Sequence, residues 1–260
     1  MKKRGKHTVP DFDEKLALYW QQYGLKQDPF AALIDTNMYI NLQKLEQSQE
    51  ILIHHLHNHN TLIAIVGRDG LGKSSFVYHA IESMANSLRH IELDANSELA
   101  ATKLIQTVQA RWQLTTEATQ TQDHVIEEIV HQLQFRDELS LLIIDDAQLL
   151  PIETLNTVIE LLQKQSEHQH KFHVILLGNE HLQTKLKLAE HAMSGTLDSH
   201  IIALTPLDYE ETKQYITARL DKTNLADKKI FNESAFKTIF KQSQGIPDKI
   251  NRLSQQFLIN

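Results

Sequence analysis

Between residues 62 and 204, short continuous apolar runs alternate with stretches of helical spacing. The runs at 62–66, 90–93, 141–144, 173–177 and 201–204 are rich in Ile, Leu and Val, which predicts buried strands. Apolar residues recur at three- and four-residue intervals over 41–56, 74–84, 98–112, 124–135 and 152–164, which predicts helices. Pro151 opens the last of these at the first-turn position that proline suits. Strands alternating with helices predict an α/β fold with a parallel five-stranded sheet sandwiched by helices.

Beyond Pro206 the strand signal stops, and only helical spacing remains at 209–220, 233–242 and 248–258. At the other end, 11–23 reads as a short helix, followed by an irregular segment punctuated by Gly24 and Pro29. These shifts divide the chain into an N-terminal tail and helix (1–22), an α/β domain (23–205) and a small helical domain (206–260), too short for an independent enzyme.

The chemistry lies at the end of the first strand. Gly67-Arg68-Asp69-Gly70-Leu71-Gly72-Lys73-Ser74, followed by Ser75, is a complete G-x-x-x-x-G-K-S phosphate loop. Such a loop turns successive backbone N–H groups inward, and the helix after it adds the positive end of its dipole. Lys73 is placed to reach the β and γ phosphates, and the Ser74 hydroxyl to hold Mg²⁺. The strand before the loop and the helix after it are the context the motif requires. A second element confirms it: the run at 141–144 ends in Asp145-Asp146, the form of a Walker B segment. Asp145 would hold the metal, directly or through water, and Asp146 would orient the attacking water.

Charge and composition narrow the setting. The 260 residues contain no cysteine, which excludes a disulfide scaffold and a zinc–thiolate site and favours a reducing cytoplasm. The net charge of -7 gives no general electrostatic footprint for duplex DNA. The basic cluster at 1–6 reads as a solvated terminus rather than a nucleic-acid or lipid contact. The His54-His55-Leu56-His57-Asn58-His59 tract is geometrically able to hold a metal, but helix-end histidines facing the dipole explain it more simply. The same discount applies to His168, His170 and His173.

Six segments then occur in a telling order. They are Tyr23-Gly-Leu-x-x-x-Pro29-Phe30, the phosphate loop, Ile144-Asp145-Asp146-Ala147-Gln148-x-Leu150, Leu176-Leu-Gly178-Asn179-x-x-Leu182, the 206–220 segment with Glu211, Tyr215 and Arg219, and Gly245-Ile-Pro-x-x-Ile250-Asn251-Arg-Leu253. Over 23–258 the chain resembles AAA+ ATPases of the ExeA, or general secretion pathway A, type. Related modules occur in pilus-associated and DamX-like cell-division proteins and, more distantly, in transposition regulators of the TnsC and MuB kind. The resemblance implies a P-loop nucleotide-binding domain with a helical lid, ATP or ADP with Mg²⁺ as cofactors, and an envelope-associated protein partner. It places Pro29 and Phe30 near the adenine and Asn179 at the sensor position beside the γ-phosphate. It also gives Arg219 a family position, against the plainer reading of a surface arginine paired with Glu211.

Three departures bear on turnover. Asp146 stands where the family usually has glutamate, which withdraws the carboxylate by about 1.5 Å. A misplacement of that size can cost about a hundredfold in rate. No arginine occurs between Gly178 and Leu207, where a neighbouring subunit's arginine finger is expected. Such a finger contributes roughly 10³ to 10⁵ in turnover. Lys185, Lys187 and His200 are weak substitutes. After Gly245-Ile-Pro247 the expected arginine is replaced by Asp248-Lys249, with Lys249 a partial stand-in. The expectation is an ATP-binding switch with slow hydrolysis, able to form homo-oligomers. The alternatives are an ATPase completed by a partner and a DNA-binding transposition or replication regulator.

Overall fold

The computed structural model describes residues 20, 23–25, 27–31, 35–58, 62–85, 87–115, 121–165, 172–192, 199–223 and 230–259. The basic cluster at 1–6, most of the 11–23 helix, His59, His168 and His170 lie outside these. The chain divides into two compact units, one of Gln43–Thr205 and one that joins Met1–Leu42 to Pro206–Asn260.

In the larger unit, helix α1 (Gln43–Asn58) precedes β1 (Leu62–Val66), α2 (Lys73–Glu82), β2 (Leu88–Asp94), α3 (Ala101–Trp112) and α4 (Gln122–Gln134). There follow β3 (Leu139–Asp145), a 3₁₀ turn (Ala147–Leu149), α5 (Ile152–Gln163), β4 (Phe172–Gly178), α6 (Glu180–Ala192) and β5 (Ser199–Ala203). The five strands form one parallel sheet in the order β2-β3-β4-β1-β5. β1 and β4 are buried at every position, as expected where helices cover both faces of a parallel sheet. β2, at an edge, alternates more and exposes Arg89, His90 and Asp94. The core packs Trp112 edge-on against Phe172, with ring centroids 5.7 Å apart.

The sheet order positions the site. β4 runs between β3 and β1, with Val66 level with Gly178 and Ile144 level with Leu176. The loop after β1, the acids after β3 and the turn after β4 therefore open at the same carboxyl edge, where open α/β sheets bind ligands. Helix α6 is an element that the strand-and-helix pattern above does not include. It buries Leu182, Leu186 and Ala189, at the spacing of one helix face.

The smaller unit contains α7 (Tyr209–Asp221), α8 (Glu233–Ser243) and α9 (Pro247–Ile259). Asp208 and Glu211 close a capping box at the start of α7, each side chain accepting from the other's backbone N–H at 2.8 Å. Gly245 has φ of 73°, and a Cβ there would lie 1.9 Å from the Leu207 carbonyl oxygen, so only glycine lets the turn before α9 approach.

One boundary differs from the expectation. The described residues of 23–42 fall in the compact unit of the C-terminal helices and not with the α/β domain. Phe30 is 1% exposed and meets Phe231 edge-on at 6.3 Å, in a core shared with Leu25, Ile40, Leu42, Ile216 and Ile239. The Tyr23 hydroxyl donates to the Leu258 carbonyl at 3.1 Å, and the Gln255 amide donates to the Asp28 carboxylate at 2.7 Å. Burying these scattered apolar residues requires a surface that the helices of 206–260 supply.

Candidate nucleotide site

The cradle is built on backbone. Gly70 and Gly72 have φ of 80° and 83°, a left-handed geometry that glycine adopts without a Cβ penalty. At Gly67 a Cβ would come within 2.9 Å of both the Leu204 carbonyl oxygen and the Leu71 side chain. Gly72 caps α2 without any side-chain hydrogen bond. The first N–H groups of a helix have no intrahelical partner, so at this end they are left for an anion. Lys73 is 9% exposed, and its ammonium donates to the Gly67 carbonyl at 3.0 Å and the Arg68 carbonyl at 3.5 Å. Its 3.9 Å approach to Asp69 is a weak tether, because Asp69 is 89% exposed and screened by water. Leu71 is buried beneath the loop, and Ser75 is half-buried on the first turn of α2.

Ser74 and Asp145, 71 residues apart, meet at this edge. The Ser74 hydroxyl donates to Asp145 Oδ2 at 2.8 Å, while Asp145 Oδ1 accepts from the Asp146 N–H at 2.8 Å. A hydroxyl and a carboxylate at hydrogen-bond distance are the hard oxygen donors that Mg²⁺ takes, one or two from protein and the rest from phosphate and water. The residues therefore fit the metal the motif implies, and when bound it would neutralise charge on the β and γ phosphates. One helical turn on, the Tyr78 hydroxyl donates to the Glu92 carboxylate. Burial, and then the Glu92 carboxylate, push that phenol above its ordinary range.

The third part of the site depends on side chains. Asp146 has φ of 50°, a left-handed conformation that Asp tolerates better than most residues. Its Oδ1 accepts from Gln148 Nε2 at 3.1 Å. Gln148 Oε1 accepts from the Asn179 N–H at 3.2 Å. Asn179 Oδ1 accepts from the His181 N–H at 3.0 Å and so caps α6, leaving its amide nitrogen as the group able to face a phosphate. Behind them, the Lys185 ammonium donates to the Gln148 carbonyl at 2.7 Å and to the Leu150 carbonyl. Burial lowers its pKa below the usual lysine range.

Gly67, Asp69, Gly70, Leu71, Gly72, Lys73, Ser74, Ser75, Asp145, Asp146 and Asn179 thus share one unit and one sheet edge. Pro29, Phe30 and Lys249 belong to the smaller unit. There Phe30 is a core residue and Lys249 is exposed on α9, with Arg252 and Asp248 paired at 2.9 Å on the same helix. Arg219 is not a surface arginine. It is 7% exposed and donates to the Pro29 carbonyl at 2.7 Å, to the Tyr215 hydroxyl and to Asn251 Oδ1 at 3.5 Å. Of the substitutes for a missing arginine, Lys185 is tied to carbonyls of its own chain and His200 stacks on His55 at 4.4 Å. Gln148 and Lys185 are the site residues whose roles no local motif conveys.

The family description "AAA domain" matches residues 54–186, just over half of the chain. The chain belongs to the AAA family. Among curated proteins none matches this AAA protein. Among solved structures it is similar to Cdc6p from Pyrobaculum aerophilum, with TM-score 0.61 and 16% identity over 89% of this chain and 67% of that one. It is also similar to the Aeropyrum pernix ORC2 protein in ADPNP–ADP complexes, with TM-score 0.58 and 13% identity over 88% of this chain and 64% of that one. A third is the Aeropyrum pernix ORC1 protein in complex with DNA, with TM-score 0.53 and 13% identity over 82% of this chain and 57% of that one. The AAA protein spans about two thirds or less of these chains, and at such identities the likeness is one of fold. Nucleotide binding follows from the family, and the loop, Lys73, Ser74 and Asp145 are the residues present for it. Among the described residues no helix is long and apolar enough to cross a membrane.

Proposed function

We propose that this protein binds ATP with Mg²⁺, hydrolyses it slowly, and uses the nucleotide state to control assembly or docking to a protein partner in a bacterial envelope system. The observation that carries this is the contrast at one sheet edge. The phosphate loop is complete, with Lys73 and the Ser74–Asp145 pair in place. The water-orienting position holds the short Asp146, its carboxylate hydrogen-bonded to Gln148. Gly178 to Leu207 contains no arginine. Secretion, pilus or division as the setting rests on the motif resemblance alone.

In such a site Lys73 would leave the loop carbonyls for phosphate oxygens, a stronger charge-assisted bond. Asp146 would accept a proton from the attacking water, and the Asn179 amide nitrogen would donate to the γ-phosphate. The test is ATP turnover and oligomer size of the purified chain, with Lys73→Ala as the blank. A nucleotide-dependent change in size with turnover near the blank supports the switch. Turnover in the ordinary ATPase range, or an oligomer response unchanged by Lys73→Ala, rejects it.

A second reading, a DNA-binding AAA+ regulator, is favoured by the likeness to an ORC1 protein in complex with DNA. The net charge of -7 weighs against it. Salt-sensitive retention of duplex DNA in the presence of ATP would select it.

A further inference from the structure

We infer that Gln148 is the positioning residue that sets the Asp146 carboxylate and ties it to the end of β4, so that the site distinguishes ATP from ADP through this amide. The inference rests on the nucleotide reading above and deepens it.

The orientation of the amide is fixed by chemistry. The Asn179 N–H is a donor and must meet Gln148 Oε1, which turns Nε2 toward Asp146 Oδ1. One side chain thereby links the acid after β3 to the sensor position after β4. Gly178 makes room for it: a Cβ there would lie 2.7 Å from Gln148 Oε1. The backbone of Gln148 is held as well, since the Lys185 ammonium grips its carbonyl and that of Leu150, fastening the 3₁₀ turn to α6. Asp146 itself sits in a left-handed conformation at the start of that turn. With one Asp146 oxygen committed to Gln148, the other would be the one to accept from the attacking water. A γ-phosphate drawing on Asn179 would act through the same amide on Asp146, whereas ADP has no group to do so.

The test uses the full chain as wild type, Gln148→Met, Gln148→Glu, Asp146→Ala and Asp146→Ala/Gln148→Met. Affinity for ADP and for a non-hydrolysable ATP analogue is measured by calorimetry, with ATP turnover and thermal midpoint beside them. Gln148→Glu keeps an acceptor for the Asn179 N–H but has no donor for Asp146, so a role confined to capping β4 would survive it. Both Gln148 variants are expected to keep ADP affinity within about twofold and to lose about tenfold or more of the analogue-over-ADP preference and of any turnover. In the Asp146→Ala background, Gln148→Met is expected to add nothing, the non-additivity of coupled residues. A Gln148→Glu protein with wild-type preference and turnover overturns the inference. So does parallel loss of ADP affinity and thermal midpoint in both variants, which marks a structural role. If wild type binds neither nucleotide better than Lys73→Ala, the nucleotide reading itself fails and the inference with it. If wild type binds both nucleotides without turnover, the reading stands and the analogue-over-ADP ratio alone decides.

Discussion

The two sides of the nucleotide site are made of different material. The cradle consists of main chain: two left-handed glycines, a third that a Cβ could not replace, and a helix start without a side-chain cap. The cleavage side depends on side chains: the Gln148 amide holds the Asp146 carboxylate and accepts from the Asn179 backbone N–H, and the Lys185 ammonium holds the Gln148 carbonyl. Backbone geometry is fixed by a handful of local residues, so the cradle is complete wherever the motif is complete. A side-chain network can be altered one substitution at a time, and here Asp146 stands where the resembled family usually has glutamate, with no arginine between Gly178 and Leu207.

The largest expected effect tests the cradle. Lys73→Ala removes a preorganised cation from the phosphates and should lower ATP affinity or turnover by roughly two to three orders of magnitude. Unfolding of the apo protein should hardly change. Equal binding by wild type and variant in a calorimetric titration would break the comparison at its stronger side.

Next is Asp146→Glu, which restores the missing methylene. Turnover should rise by up to about a hundredfold. A stability loss of about 1 kcal/mol should accompany it, because Glu adopts the left-handed conformation less readily than Asp. A faster, slightly less stable enzyme would show that the cleavage side is limited by reach. An unchanged rate would move the limit to the missing arginine.

The smaller unit provides a control, since its Arg219 is buried and bonded within that unit. Arg219→Ala leaves the Pro29 carbonyl, the Tyr215 hydroxyl and Asn251 without a buried cationic donor and should cost about 2–3 kcal/mol in urea unfolding. A loss below about half a kcal/mol would break the structural reading of Arg219.

The smallest effect concerns Glu233, which is held below the usual carboxylate range by Lys213 at 2.8 Å and then by the Tyr209 hydroxyl. Its folded pKa is lowered, so its contribution is present above about pH 4.3. That contribution is lost as pH falls through the folded value. Glu233→Gln should therefore flatten the acid side of the stability profile slightly and leave neutral-pH nucleotide binding alone, as unfolding midpoints across that range would report.

Legibility followed the same division. The five strands were visible as apolar runs because both sheet faces are covered, which makes the central strands continuous rather than alternating. Their ends shifted by a residue or two at β2, β3, β4 and β5; at edge strand β2, Arg89, His90 and Asp94 interrupt the apolar signal. Helix α6 has a helical pattern in Leu182, Leu186 and Ala189 that is easily passed over beside the strong strand before it. The core that Phe30 joins was not legible for another reason. Leu25, Phe30, Ile40 and Leu42 have no period, and nothing local tells which core an aperiodic apolar residue joins.

By itself, then, the sequence determined the phosphate loop, its strand and helix, the paired acids and the absence of an arginine from Gly178 to Leu207, because each is a property of consecutive residues and backbone conformation. Tertiary structure decided the rest. Only the sheet order, with β4 between β3 and β1, brings Ser74 to Asp145 and Gln148 to Asn179. Only packing places Leu25, Phe30, Ile40 and Leu42 with the C-terminal helices, and Arg219 beneath the surface. These are contacts between residues distant in the chain, and no local period or propensity carries them.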